Sequence, residues 1–225
     1  SGGTATLNSA IPTSITKTSQ TVWVLGFSTS GTANGSETIT VVPASSTSIY
    51  DAAANAAATS QSNNMASLND ATIPTLSSVS IATNNAITSV ANDGDVVTLT
   101  LTASEAISTP VVTFLSGGDP ITDNTVTYTN ASGNNWTAAY TADTDDTAGA
   151  ITYSIAFSDS AGNAGTAVTT GSGSVTFDKA VPTLSSVGIA SDNTTTTLAK
   201  VGDVVTLTFT ASETIATPVV TFQSG

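Results

Sequence analysis

Apolar and polar residues alternate with a period of two along several short segments of the chain. From Val97 to Ala103 every second residue is apolar and the residues between them are Thr, and the pattern recurs from Val205 to Ala211. This alternation predicts β-strands with one buried face. The other predicted strands are 76–82, 111–115, 125–129, 136–141, 150–158 and 174–178. About seven of these short strands fall within residues 73–180, separated by Gly, Asn, Asp and Pro, and they predict an all-β fold of tandem two-sheet antiparallel sandwiches.

The chain also repeats itself at a fixed spacing. Residues 73–117 align without a gap to residues 181–225, with 31 identities in 45 positions, and we call the step from residue 73 to residue 181 the repeat offset. Residues 1–72 follow it more loosely: Asp51, Asn55 and Asp70 fall on Asp159, Asn163 and Asp178. A fixed period indicates a repeat architecture. We therefore predict that residues 1–72 are the second part of a divergent repeat, that 73–180 are a complete repeat, and that 181–225 are the first part of a further one.

A partial repeat leaves sheet faces and strand edges bare, and two arrangements would cover them. In the first, residues 1–225 are a window of a longer tandem array. In the second, residues 181–225 of one copy are completed by residues 1–72 of a neighbouring copy, because the chain begins and ends at the same phase of the repeat. The sequence leaves both arrangements open.

One Ala-rich segment gives conflicting signals. Residues 51–58 have high helix propensity, with Asp51 where an N-cap would stand. The alignment to residues 159–166 instead predicts a loop before the last strand of a repeat, and we follow the alignment. Ala54 then occupies the position of Gly162, where a positive φ would strain it. The joins 69–74 and 178–182 contain one Pro each, which predicts stiff connectors.

Composition narrows the range of functions. The 225 residues include no Cys and no His, only three Lys or Arg, and 76 Ser or Thr. Thiolate and imidazole metal sites and Ser-His or Cys-His catalytic pairs are therefore excluded. The net charge of −13 disfavours nucleic acid, and no apolar run approaches the roughly 20 residues of a membrane span. The carboxylates of the loop 143–146 lie between strands rather than in a cleft, so no residue is predicted to be catalytic.

Four motifs resemble one known family. They are an Asp followed by a Pro at each join, Gly-Asp-Val-Val-Thr-Leu-Thr from Gly94, Ala-Ser-Glu from Ala103, and Phe-Ser-Asp-Ser-Ala-Gly-Asn from Phe157. The chain is similar to the bacterial immunoglobulin-like (Big-type) tandem repeats of large surface adhesins and extracellular filament proteins. The resemblance implies immunoglobulin-like sandwiches, secretion to the cell surface, and service as stalk modules rigidified by calcium.

Calcium prefers carboxylate, amide and carbonyl oxygens, and clusters of these are expected at the joins. At the first join we expect Asp70, Glu105, Asp159 and Asn163 to converge. At the second, Asp178 and Glu213 would face acidic residues of the lower loops, namely Asp93, Asp95, Asp143, Asp145 and Asp146. The alternative is that these residues are ordinary surface acids that cap turns and keep the protein in solution.

Two Trp residues could serve as exposed platforms for sugars. Trp136 alternates with Ala138 and Tyr140, and Trp23 with Leu25 and Phe27, so we predict that both pack in a core. The favoured function is a non-enzymatic structural module of an extracellular adhesin stalk or filament, whose partners are neighbouring copies or repeats of the same protein. The alternative is an adhesive module that binds a glycan or another surface.

Overall fold

The computed structural model describes residues 3–121 and 125–223. Within these residues there are seventeen β-strands and no helix, so the all-β prediction is confirmed. The described residues therefore contain no helix that could cross a membrane. The chain divides into two compact units, one through Asp178 and the other from Lys179 onward.

The part of the first unit that precedes residue 73 forms three small antiparallel sheets. Each sheet has two strands, paired β1 with β4, β2 with β3, and β5 with β6. The strands are β1 Thr6–Leu7, β2 Ser14–Lys17, β3 Trp23–Gly26, β4 Thr29–Ser30, β5 Thr38–Thr40 and β6 Met65–Ser67. In β3 the side chains of Trp23 and Leu25 are 53% and 50% exposed, and Phe27 beyond it is 50% exposed. The prediction that Trp23 packs in a core is therefore wrong, because no second sheet of the described residues covers the β2–β3 hairpin.

Residues 76–177 form two larger sheets. Their strands are β7 Leu76–Thr83, β8 Val90–Ala91, β9 Val96–Ala103, β10 Val111–Ser116, β11 Asp119–Pro120, β12 Thr127–Ser132, β13 Asn135–Thr141, β14 Gly149–Ala156 and β15 Val175–Phe177. One sheet has the order β12-β13-β9-β7, and the other has the order β11-β10-β14-β15-β8. In the first sheet, Trp136 of β13 lies opposite Leu101 of β9. The strands β9 and β13 therefore carry their apolar residues on the same face.

The apolar faces of both sheets contribute to one hydrophobic cluster. Leu99 and Leu101 of β9 and Ile155 of β14 are fully buried, as the period-two pattern predicts. The rings of Phe114 and Tyr140, one from each sheet, lie with centroids 4.9 Å apart. Each fully buried side chain of this size contributes about 1.5–3 kcal/mol, so this cluster is the main source of stability in the first unit.

Several strand ends differ from the prediction by one residue, the short strand β11 was not predicted, and larger differences occur elsewhere. The predicted strand 125–129 begins at Thr127 and extends to Ser132, while residues 122–124 lie outside the described part of the chain. The predicted strand 150–158 ends at Ala156, and Ser158 forms only an isolated bridge. The short strand β8 was not predicted, and it pairs with β15 in parallel. This pairing arises because Thr176 N donates to Ser89 O and Asp178 N donates to Ala91 O.

The second unit contains one described hairpin. Its strands are β16 Leu184–Ser191 and β17 Val205–Ala211. Leu184 pairs with Ala211, as Leu76 pairs with Ala103 in the first unit. The same irregularity follows the first residue of β16 and of β7. The side-chain hydrogen bonds recur as well: Asn193 Nδ2 donates to Asp203 Oδ2 at 2.9 Å, as Asn85 Nδ2 donates to Asp95 Oδ2 at 2.8 Å. The aligned sequences thus form the same local structure.

The Ala-rich segment forms a loop, as the alignment predicts. Asn55 donates from its backbone N to Asp51 Oδ1 at 2.8 Å and from its Nδ2 to Asp51 Oδ2 at 2.9 Å. Asn163 makes the same two bonds to Asp159, each at 2.8 Å. Ala54 has a φ of 67° and Gly162 has a φ of 95°, so the expected left-handed backbone at Ala54 is present. The side-chain bonds hold the turn closed and prevent the helix that Ala content alone would favour.

Candidate functional site

Three carboxylates meet where residues 69–74 enter the larger sheets. Asp70, Glu105 and Asp159 each offer one carboxylate oxygen, and these oxygens all lie within 4.8 Å of one another. No other group of three or more Asp or Glu side chains within metal-binding distance occurs among residues 3–121 and 125–223. We call these three residues the join cluster.

Asp159 is the most rigidly held member of the join cluster. It follows β14 and is 3% exposed, and its backbone forms an isolated bridge with Ile107. Both of its carboxylate oxygens accept hydrogen bonds from Asn163, and its carbonyl oxygen accepts one from Ser108 Oγ at 3.3 Å. The carboxylate is thereby fixed in one orientation.

Asp70 comes from the incoming segment and is tied to the same loop. Asn163 Nδ2 donates to Asp70 O at 3.1 Å as well as to Asp159. Thr72 N donates to Asp70 Oδ1 at 2.9 Å, and Ala71 N donates to Ala33 O at 2.9 Å. Asn163 therefore connects the join to the loop that follows β14 with a single side chain.

Glu105 follows β9 and completes the join cluster. Its Oε1 atom is buried and has no hydrogen-bond partner among the described residues. A buried carboxylate oxygen without a donor is costly, because it has lost water without gaining a partner. The Glu105 carboxylate thus lies near two other acids, and its Oε1 has no hydrogen-bond donor among the described residues.

The electrostatics of the cluster reflect this arrangement. Burial raises the pKa of the Glu105 carboxyl, and the nearby charges of Asp70 and Asp159 raise it further. Burial also acts to raise the pKa of Asp159, but the hydrogen bonds from Asn163, Gly162 and Ala161 outweigh it and leave the pKa below its usual value. Asp159 is therefore held in its charged form while the ionised form of Glu105 is disfavoured.

This donor set suits a hard divalent cation. Calcium binds six to eight oxygens at 2.3–2.6 Å, drawn from carboxylates, carbonyls and waters. The join cluster offers three carboxylates, and an open groove lined by Asn34, Ser36, Asn69 and Ser160 borders Asp70. A cation here would supply the missing partner of Glu105 Oε1.

The remaining candidate ligands lie elsewhere in the chain. Asp143 and Asp145 belong to a loop after β13, in which Asp145 N donates to Asp143 Oδ1 at 2.9 Å and Asp143 N donates to Asp146 Oδ2 at 3.3 Å. These bonds are of the turn-capping type that surface Asp residues form. Asp178 ends the first unit, where its backbone N donates to Ala91 O, and Glu213 lies in the second unit.

Asp93 and Asp95 lie in the loop before β9. Asp95 Oδ2 accepts hydrogen bonds at 2.8 Å from Asn85 Nδ2 and from Asn92 N. The carbonyl oxygen of Asp95 accepts another from Ala142 N. The carboxylate of Asp95 is thus used to close its own loop, as the alternative interpretation of these acids expects.

One part of the join was not expected from the sequence. The loop from Asn34 to Ser36 lines the groove beside Asp70, and within it Asn34 N donates to Glu37 Oε2 at 2.9 Å. Hydrogen bonding from the Asn34 backbone lowers the pKa of Glu37. The loop matches residues 143–146 one position beyond the repeat offset, where Asp143 N donates to Asp146 Oδ2 as Asn34 N donates to Glu37 Oε2, and this near-match is the sequence signal that could have identified it.

Comparison of the chain with protein-family models, with curated proteins and with solved structures finds no match.

Proposed function

We propose that this chain is a non-enzymatic structural part of an extracellular bacterial stalk or filament, built from immunoglobulin-like sandwich modules joined end to end. The support for the sandwich is the contribution of two sheets to one hydrophobic cluster, with Phe114 of one sheet against Tyr140 of the other. Two mainly antiparallel sheets that share a core in this way are typical of the immunoglobulin architecture. Resemblance to adhesin repeats supports the surface location.

The observation that carries the proposal is the recurrence of local structure at one spacing. The hairpin of β7 and β9 and the hairpin of β16 and β17 have the same register, with Leu76 and Leu184 in equivalent places. The Asp-Asn loop recurs at the same repeat offset, from Asp51 to Asp159. A chain of similar modules in series acts through its length and stiffness, and its natural partners are neighbouring copies or repeats of itself.

Stiffness depends on the joins, and the join cluster provides a means to control it. Without a cation, three carboxylates within 4.8 Å repel one another and favour opening of the join. With calcium bound, ligands from residue 70 and from the loops at residues 105 and 159 would be clamped together. We therefore propose that calcium rigidifies the first join.

Calcium titration of the whole chain by calorimetry, followed by small-angle scattering, tests the proposal. We expect one ion to bind at the first join and an elongated particle that loses flexibility when calcium is added. The matched variant Glu105→Gln should lose most of the binding. Glu213→Gln, at the equivalent position one repeat offset later, should keep it.

Two outcomes would contradict separate parts of the proposal. Absence of calcium binding to the unmodified chain would refute the rigidifying role of the ion. Saturable binding of the isolated chain to a glycan array would refute a purely structural role and favour the adhesive alternative.

A further inference from the structure

The second unit exposes an apolar face whose counterpart in the first unit is buried. Val187 and Ile189 of β16 are 62% and 63% exposed, and Val205 of β17 is 42% exposed. The residues one repeat offset earlier are Val79, Ile81 and Val97, which are 9%, 5% and 0% exposed. The aligned sequences form the same hairpin, so the difference lies in what covers it.

The first unit identifies the missing neighbour. There, β9 pairs on one side with β7 and on the other with β13, so that Trp136 lies opposite Leu101 and Thr137 opposite Thr100. In the second unit β17 pairs only with β16 among the described strands. The edge of β17 that corresponds to the β13 side of β9 is therefore unpaired within the described residues, and an unpaired edge is a template for another strand.

The hairpin of β2 and β3 has the complementary feature. Lys17 pairs with Trp23 in this hairpin, as Asn130 pairs with Trp136 in the hairpin of β12 and β13, so the two hairpins correspond in register. The side chains that correspond to buried Trp136 and Tyr140 are Trp23 and Phe27, which are 53% and 50% exposed. The other edge of β3 pairs with no described strand. The strand β17 thus corresponds to β9 without its neighbour β13. The strand β3 corresponds to β13 without its neighbour β9.

We propose that β17 of one copy pairs in antiparallel orientation with β3 of a second copy, with Phe209 opposite Trp23, Thr208 opposite Val24 and Leu207 opposite Leu25. This register transfers the pairing of β9 with β13 residue by residue. The four-stranded sheet of the first unit is thereby reproduced between two chains. The inference rests on the proposed function and specifies its partner, because repeated pairing of this kind produces a filament.

A second copy is favoured over the chain's own β3 by the geometry of the first unit. Asp70, which ends the segment that contains β3, is held beside Glu105 at the Ala103 end of β9. Asp178, the last residue of the unit, is bonded to Ala91 near the Val96 end. An eight-residue strand is about 25 Å long, so the two attachment points lie at opposite ends of the core. A head-to-tail contact between copies would join these two ends of successive first units.

The apolar surface of the second unit supplies a substantial part of a stable contact. Eight large apolar side chains that are exposed in residues 181–223 have counterparts that are buried or half-buried in the first unit: Leu184, Val187, Ile189, Leu198, Val204, Val205, Val220 and Phe222. Burying roughly 50–60 Å² on each gives about half of the roughly 800 Å² per partner of a standard interface, and the polar atoms of the two paired strand edges add to it. The segment before residue 73 exposes a similar set that includes Trp23, Leu25 and Phe27.

Cysteine cross-linking of the full chain tests the register, since the native sequence contains no Cys. The double variant Val24→Cys, Thr208→Cys places both thiols on the outward side of the proposed strand pair, where Val24 is already 54% exposed. A directly opposite pair lies within the roughly 4.4–6.8 Å Cα separation that a disulfide requires. The control Val24→Cys, Thr206→Cys is two residues out of register and exceeds that separation.

We expect a ladder of disulfide-linked oligomers from the first variant after mild oxidation, and a ladder several-fold weaker from the control. Equal ladders, or none from the first variant, would overturn the inference. A cross-linked product of monomer size would also overturn it, because the chain's own β3 would then be the partner. Circular dichroism establishes that both variants are folded. An elongated monomer that binds calcium but forms no ladder would leave the proposed function standing while refuting this contact.

Discussion

Replacing Glu105 with Gln is predicted to stabilise the protein in chelator and to reverse that effect in calcium. In the unmodified chain Glu105 Oε1 is buried without a described donor, and the Glu105 carboxylate lies within 4.8 Å of carboxylate oxygens of Asp70 and Asp159. Gln has nearly the same shape but no charge, so the variant removes the repulsion without creating a cavity. The same charge would be attractive toward a bound cation, which is why the sign of the effect should change.

The magnitude follows from the distances. Two unit charges about 4.8 Å apart repel by about 0.9 kcal/mol in water and about 3.5 kcal/mol at an effective dielectric constant of 20. The side chain of Glu105 is half-buried, so solvent screening places the expected gain between these limits, at about 1–3 kcal/mol. For a unit of this size that corresponds to a rise in Tm of roughly 2–10 °C in chelator.

The same effect should depend on pH. The pKa of Glu105 is raised above its ordinary value of 4.5, so the folded state binds the proton more tightly than the unfolded state does. At pH below 4.5 the group is protonated in both states, and its ionisation costs no stability. The destabilisation develops as the pH rises through the raised pKa. The difference in stability between Glu105→Gln and the unmodified chain should therefore be near zero in acid and reach a plateau at neutral pH.

Thermal unfolding followed by circular dichroism, in EDTA and in excess CaCl₂ across this pH range, measures both effects. Glu213→Gln is the matched control, because it changes the same residue type at the equivalent position outside the join cluster. An unchanged Tm for Glu105→Gln in EDTA at neutral pH would refute the electrostatic argument. A stabilised variant that keeps its advantage in calcium would refute the metal site alone.

Three further predictions concern the core and the loops. Gly162→Ala should lower the free energy of unfolding in urea by about 1–2 kcal/mol. The cause would be backbone strain alone, because φ of Gly162 is 95° and an added Cβ would contact nothing. An unchanged midpoint of the urea unfolding curve would contradict this prediction. Tyr140→Phe should raise the free energy of unfolding by about 1 kcal/mol, since the buried hydroxyl of Tyr140 has no described hydrogen-bond partner. A lower free energy of unfolding in the same urea assay would instead indicate a hydrogen bond to this hydroxyl. In the dilute, unassembled chain acrylamide should quench mainly Trp23, which is 53% exposed, and spare Trp136, which is 9% exposed. Trp23→Phe should therefore remove most of the quenchable fluorescence of the monomer, and strong residual quenching would refute the assigned burial of Trp136.

Several features could be predicted from local sequence, because their physical cause is local. The alternation from Val97 to Ala103 determines which side chains share a strand face, and the buried side chains are the expected ones. The Asp-Asn loop is also local, since Asn55 lies close to Asp51 along the chain and bonds to it. That short-range bond explains why the alignment predicted residues 51–58 better than helix propensity did.

The exposure of Trp23 could not be predicted in the same way. Trp23 and Trp136 have similar neighbours along the chain, yet only Trp136 is covered. The difference depends on whether a strand such as β9 lies alongside, which is a long-range contact. The parallel pairing of β8 with β15 is another long-range property, set by where residues 89–91 lie beside residues 176–178.

The join cluster shows the same division. Local sequence is enough to identify the acids that stand in loops next to strands. The expectation that Asp70, Glu105, Asp159 and Asn163 converge also needed the loop positions of an immunoglobulin-like sandwich, which the resemblance implied. The folded chain adds that Asn163 bonds to both Asp159 and Asp70, while Glu105 Oε1 is buried without a described donor. Strand faces and loop chemistry follow from the order of residues, because the contacts that set them span only a few positions. Burial and the mutual distances of charged groups depend instead on segments that are remote in sequence and meet only when the chain folds.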